Sequence, residues 1–141
     1  MNIDFARKLE LVYHQQCQTL CKEFNLKQTG FDILMFLGNN PQYKHARDIV
    51  EIRKIKANLV SIHIEQLVEQ GYLSRVQVKG DRRKVELVLN DKANEIIKKG
   101  QKFQHDFFAS IFLNIDQEHQ KIFKETLQQM EKNIDHLMEE K

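Results

Sequence analysis

The sequence has no tryptophan, one proline, five glycines and two cysteines. So few chain breakers favour helices, and a disordered or low-complexity chain is excluded. Two cysteines cannot staple a small secreted domain, and the opening MNIDFARKLE has neither a basic n-region nor an apolar h-region, so a cytoplasmic location is expected. No apolar run approaches the ~18 residues of a membrane span, so no membrane partner is expected. The sequence also lacks G-x-S-x-G, a Walker loop, G-x-G-x-x-G and H-E-x-x-H, and its six histidines are scattered. Neither an enzyme nor a cofactor is expected.

What is present is enough for one domain, 1–141, with arms for pairing with a second copy. Apolar residues at 41% and charged residues at 30% fit a globular chain. In 2–24, Leu9, Tyr13, Cys17 or Leu20, Cys21 and Phe24 recur at three and four, one face of a long helix. Phe31, Leu34 and Leu37 mark a second helix over 28–37, stopped at Gly38, where a left-handed cap is expected, and Pro41. A short helix over 46–53 and a longer one over 56–70 follow, the latter closed by Gly71 as its C′ residue. The period then becomes two: 72–78 and 85–89 read as strands, joined by the tip 79–84. From Asp91 the helical period returns, with Asn90 as its cap and Gly100 marking a close helix crossing. Asp116 caps a last helix with a stripe of Ile122 or Phe123, Leu127, Met130, Ile134 and Leu137.

The formal net charge is only +2, but positions 44–84 carry ten basic and five acidic residues, a local +5 that leaves −3 elsewhere. The middle third is therefore where a polyanion would bind. There, a short helix, a turn, a second helix and a hairpin with a basic tip form a winged helix-turn-helix over 28–90. The start of the second helix offers Lys54 and Lys56 for phosphates and Asn58 and Ser61 for base edges. Leu59 and Ile62 lie on the same exposed side, and His63 reads as structural. The tip gathers Lys79, Arg82, Arg83 and Lys84 around Asp81, which is expected to pair with an arginine and orient it, while Gly80 permits the bend. An arginine here suits a narrow A·T-rich minor groove.

The runs IEQLVEQGYLSR and GDRRKVELVLND resemble the MarR family of bacterial transcriptional regulators. That pattern is a Leu-acid-x-x-Gly helix end, a strand ending in Arg, a D-R-R wing and a return strand. Three departures stand out: Val68 at the helix end, Asn90-Asp91-Lys92-Ala93 for the usual Leu-Thr-x-x-Gly, and Arg53 where an apolar turn residue is usual. The resemblance implies a mainly α fold with a small β-hairpin wing, in which 1–24 and 91–141 are dimerisation helices. It implies a dimer reading an inverted-repeat operator in double-stranded DNA, with contacts from Lys56, Asn58, Ser61, Arg82 and Arg83. It further implies a small aromatic effector lodged between the dimer helices and the winged core, with Tyr13, His14 and Phe31 as candidate lining residues.

Function is thus expected to be that of a dimeric repressor released by an effector. Two alternatives remain open. His14, Cys17 and Cys21, at i, i+3 and i+7, suit a metal- or thiol-responsive sensor, although a helix burying small apolar cysteines is the simpler reading and no metal site is assigned. A protein-binding winged-helix module is the other, and the basic wing opposes it.

Overall fold

A computed structural model describes residues 2–140. Its order is α1 (Ile3–Glu23), α2 (Gln28–Asn39), α3 (Ala46–Asp48), a π-helical turn (Ile49–Arg53), α4 (Ala57–Glu69), β1 (Leu73–Val78), β2 (Asp81–Leu89), α5 (Ala93–Ile111) and α6 (Gln117–Glu139). The chain divides into two compact units, Met1–Gln104 and His105–Lys141.

In the first unit the core is built around α2. Phe31, Ile33, Leu34, Met35, Phe36 and Leu37 are all buried, as expected of a helix enclosed on every side rather than laid on a surface. Cys17 and Cys21 of α1, Val60, Ile64 and Leu67 of α4, Leu73 and Leu87 of the strands, and Ala93 and Ile96 of α5 join the same cluster. Gly71, at φ +85°, ends α4 in the left-handed region, and its N–H reaches the Val68 carbonyl.

Gly38 departs from the expected cap. The helix continues through Asn39 and is capped at Asn40, whose N–H and side-chain amide both donate to the Phe36 carbonyl. Gly38 instead makes room for α5: a Cβ there would stand 2.8 Å from Ile97 Cγ2. Gly100 has the same use from the other side, since a Cβ on it would collide with Met35 Sδ and lie 3.3 Å from Phe31 Cε2. The expected close crossing is therefore between α5 and α2.

Asn90 does not cap α5 with its side chain. Its Oδ1 accepts from Ser74 Oγ at 2.8 Å and its Nδ2 donates to the Gly71 carbonyl at 3.1 Å, joining the end of α4 to β1. Only its backbone carbonyl faces the helix, accepting from the Ala93 N–H. The second unit contains α6, whose Asp116 side chain accepts from the His119 N–H as the sequence predicts. Phe112 and Phe123 meet there edge to face. No α6 residue is buried, and Ile122, Phe123, Leu127, Ile134 and Leu137 all stand exposed.

Candidate nucleic-acid interface

α4 divides cleanly into two faces. Val60, His63, Ile64 and Leu67 point into the core, and Ala57, Asn58, Leu59, Ser61, Ile62, Glu65 and Gln66 face solvent. His63 therefore belongs to the inner face, where burial and the Lys27 charge lower its pKa and favour the neutral ring. Leu59 and Ile62 are 38% and 50% exposed, an unusual cost on a helix otherwise segregated by polarity. Lys56 is the N-cap, and no side chain caps the helix. The first N–H groups of α4 thus have no side-chain acceptor at the end where an anion is best received, and the N-cap residue itself is a lysine.

The lead-in to α4 is less regular than the sequence suggests. In place of one helix over 46–53, α3 holds three residues and then widens into the π turn. His45 and Asp48 fix its start with a capping box, the His45 N–H donating to Asp48 Oδ2 at 3.1 Å. Lys54 closes the turn in the left-handed region at φ +64°, a conformation that costs a side-chain-bearing residue roughly 1–2 kcal/mol. Nothing in the apolar period marks either feature.

The wing also differs in detail. β1 and β2 pair antiparallel, with Val78 opposite Asp81 and Gln77 opposite Val85. The turn is therefore Lys79-Gly80, with Gly80 at φ +90°, and β2 begins at Asp81, before the expected 85–89. Arg82, Arg83 and Lys84 fall in the slip between those two pairs and are exposed, so three adjacent cations sit on a bulge instead of a loop. The Asp81 carboxylate was expected to pair with an arginine guanidinium. It instead accepts the Arg83 backbone N–H at 2.9 Å, a short-range turn that a carboxylate two residues earlier makes readily, and so orients the bulge through its main chain. At the root, the Leu87 N–H donates to the Lys44 carbonyl at 2.7 Å and His45 Nδ1 lies 3.1 Å from the Val85 carbonyl, joining β2 to the loop before α3.

The residues proposed for an effector are not brought together. Tyr13 lines a cavity of about 160 Å³ with Asp32, Met35, Phe36, Asn39, Asn40, Arg53 and Gln104. Phe31 is wholly buried in the core, and neither it nor His14 is among the lining residues. Sequence reasoning missed the polar half of this cavity; Arg53, already out of pattern in the turn, was the available sign. Gln104 Nε2 donates to the Tyr13 hydroxyl at 2.9 Å, and burial pushes that phenol well above its ordinary pKa.

The sensor alternative loses its chemical basis. Cys17 and Cys21 are buried, and desolvation pushes both thiols up, Cys21 to about 11, opposite to the lowered value a reactive thiolate needs. Among the described residues no three His, Cys, Asp or Glu side chains come together in a way that holds a metal ion. Among the same residues, no helix is long and apolar enough to cross a membrane.

Residues 24–84, from the end of α1 through the wing bulge, match the model of the MarR family. The match covers the winged helix-turn-helix segment, less than half of the chain, which is similar there to MarR family proteins. The chain's fold is that of solved MarR structures. A MarR protein from Peptoclostridium difficile superposes with a TM-score of 0.81 at 21% identity, covering 96% of this chain and 90% of that one. The S. aureus MepR–DNA complex gives 0.78 at 13%, covering 94% and 98%. A MarR family transcriptional regulator from Listeria monocytogenes, complexed with a 26mer DNA, gives 0.79 at 21%, covering 92% and 83%. No curated protein matches the sequence. The structural neighbours PA3341 and the MarR protein from Methanosarcina mazei are themselves transcriptional regulators.

Proposed function

We propose that this chain is a MarR family regulator, a dimeric, sequence-specific DNA-binding repressor that reads an inverted repeat and is released by a small-molecule effector. The observation that carries the reading is the pairing of an open helix face with the bulged cations. α4 offers Asn58 and Ser61 outward behind an uncapped N-terminus, and the wing holds Arg82, Arg83 and Lys84 clear of its own strand pairing. A helix of this kind enters a major groove, with Lys54, Lys56 and Lys79 on flanking phosphates, while a wing arginine follows the adjacent minor groove. Two structural neighbours solved with DNA, MepR and the Listeria monocytogenes regulator, have the same fold.

Exposed apolar side chains on α1 (Ile3, Phe5, Leu11, Val12) and on α6 support pairing with a second copy through 1–24 and 91–141. Two reading helices then meet successive major grooves about 34 Å apart. The Tyr13 cavity supports an effector of small size, and an effector coupling of ~1–3 kcal/mol suffices to release DNA.

Footprinting on the DNA beside the chain's own coding region, followed by titration against salt, tests the reading. Affinity is expected to fall steeply, with a slope of about −0.9 per neutralised phosphate. Arg83→Ala flattens that slope by about one unit, whereas Asn58→Ala keeps the slope and relaxes base preference at one position per half-site. Salt-insensitive binding, or no preference over random competitor, overturns the proposal.

A further inference from the structure

Arg53 Nη2 lies 3.5 Å from Asp32 Oδ2, and the Asp32 side chain is only 12% exposed. A carboxylate so far out of water burdens folding unless its surroundings repay it. Here burial is the largest influence and raises the Asp32 pKa above the ordinary carboxylate value. The Gln28 amide, donating at 2.9 Å, and the charges of Arg53 and His14 oppose that rise, and Glu10 adds to it. Tyr13, Cys17 and Cys21 of α1 also lie within reach of its charge. A folded pKa above the unfolded one means that the stability Asp32 contributes is fully present below the unfolded value and is lost as pH rises through the folded value. At neutral pH the ionised side chain therefore works against folding, the kind of local cost that is expected at a working site.

The position of its partner gives this site a use. Arg53 is the last residue of the π turn, and only Lys54, Ile55 and Lys56 separate it from α4. Lys54 is held left-handed, so this link has two uncommon backbone features in series and no regular helix to fix its direction. We propose that the Asp32–Arg53 pair is a positioning device for the reading helix: it fixes the end of the π turn to α2 and thereby sets the direction in which Lys54–Lys56 launches α4 toward DNA. The inference rests on the DNA-binding reading above. Neither residue touches DNA in it; both act through the presentation of Asn58 and Ser61.

The test uses the full chain and the tightest duplex that the parent protein recovers from a random-sequence pool. Asp32→Asn and Arg53→Gln each weaken binding by about tenfold at neutral pH, and the double variant weakens it no further. Arg53→Lys, which keeps the cation, loses less. The salt slope stays at the parent's value in all four, because no phosphate contact has been removed. Asp32→Asn is at least as stable to urea as the parent, a result that a merely structural role excludes. Binding by the parent falls toward acid as Asp32 takes up its proton, and that fall is missing from Asp32→Asn and Arg53→Gln. Should Asp32→Asn not fold, the half-exposed Arg53→Gln carries the test through its slope and pH profile.

Parent-like binding by Asp32→Asn, additive losses in the double variant, or a slope flattened by Arg53→Gln each overturns the positioning role. If the parent recovers no duplex at all, the DNA-binding reading fails and this inference with it. If it recovers one that Asp32→Asn binds equally, the positioning role alone fails.

Discussion

Single side chains decide how closely the elements of the first unit approach. Gly38 and Gly100 face the same α2–α5 crossing from opposite helices, one admitting Ile97 and the other Met35 and Phe31. Replacing Gly100 with Ala regains about 1 kcal/mol of helix propensity but overpacks a buried site at a cost of about 1–3 kcal/mol. Gly100→Ala is therefore expected to lower the urea midpoint by about 1 kcal/mol of stability, and an unchanged midpoint means that Met35 finds another rotamer. The sequence shows Gly100 as an interruption inside a strong helical period, which suggested the crossing. Gly38 has the sequence context of a cap, just before Asn39-Asn40-Pro41, and sequence alone cannot tell a glycine that ends a helix from one that lets another helix in. The cysteines were legible in one sense only: their spacing placed them on one helix face, and burial then decided between core and chemistry.

At the scale of elements, hydrophobic period located the long helices and both strands, and those of the first unit contribute buried residues to one core. It failed where backbone hydrogen bonding, not burial, sets the geometry. The π turn, the left-handed Lys54 and the three-residue bulge of the wing leave the apolar pattern unchanged, so nothing in the composition announces them. Asn90 shows the same limit. As a residue ahead of a helix it looked like a cap, whereas its amide ties Gly71 to Ser74 across the junction of α4 and β1. Removing both hydrogen bonds from a partly buried site costs about 1–3 kcal/mol. Asn90→Ala is expected to show that loss in urea unfolding and to speed amide exchange at Tyr72 and Leu73 ahead of the rest of the core. Uniform exchange across the first unit would assign Asn90 no special part in the junction.

At the scale of the whole molecule, the sequence already showed an imbalance: +5 in the middle third against −3 elsewhere. Much of the positive charge lies on the lead-in to α4 and on the wing, and the candidate DNA contacts were legible because side-chain type and order carry that information. The cavity was not, since its lining comes from α1, α2, the π turn and α5, far apart in sequence. The long apolar stripe of α6, with no buried residue, gives a further expectation. Sedimentation equilibrium at micromolar concentration should return twice the 16.8 kDa chain mass. Leu127→Glu together with Ile134→Glu should return a monomer that has lost high-affinity binding to a two-half-site duplex, because a single half-site forfeits the linkage between heads. A monomeric parent removes the dimer from the proposed function.

The stitch between Leu87 and Lys44 lies at the base of the hairpin, whereas the three cations sit beyond the Gln77–Val85 pair. Mechanically this is a cantilever, clamped at its root and compliant at its free end. In the proposed complex such a beam lets the basic tip follow a duplex whose groove narrows or widens along its length, while the clamp passes little of that bending back to α4.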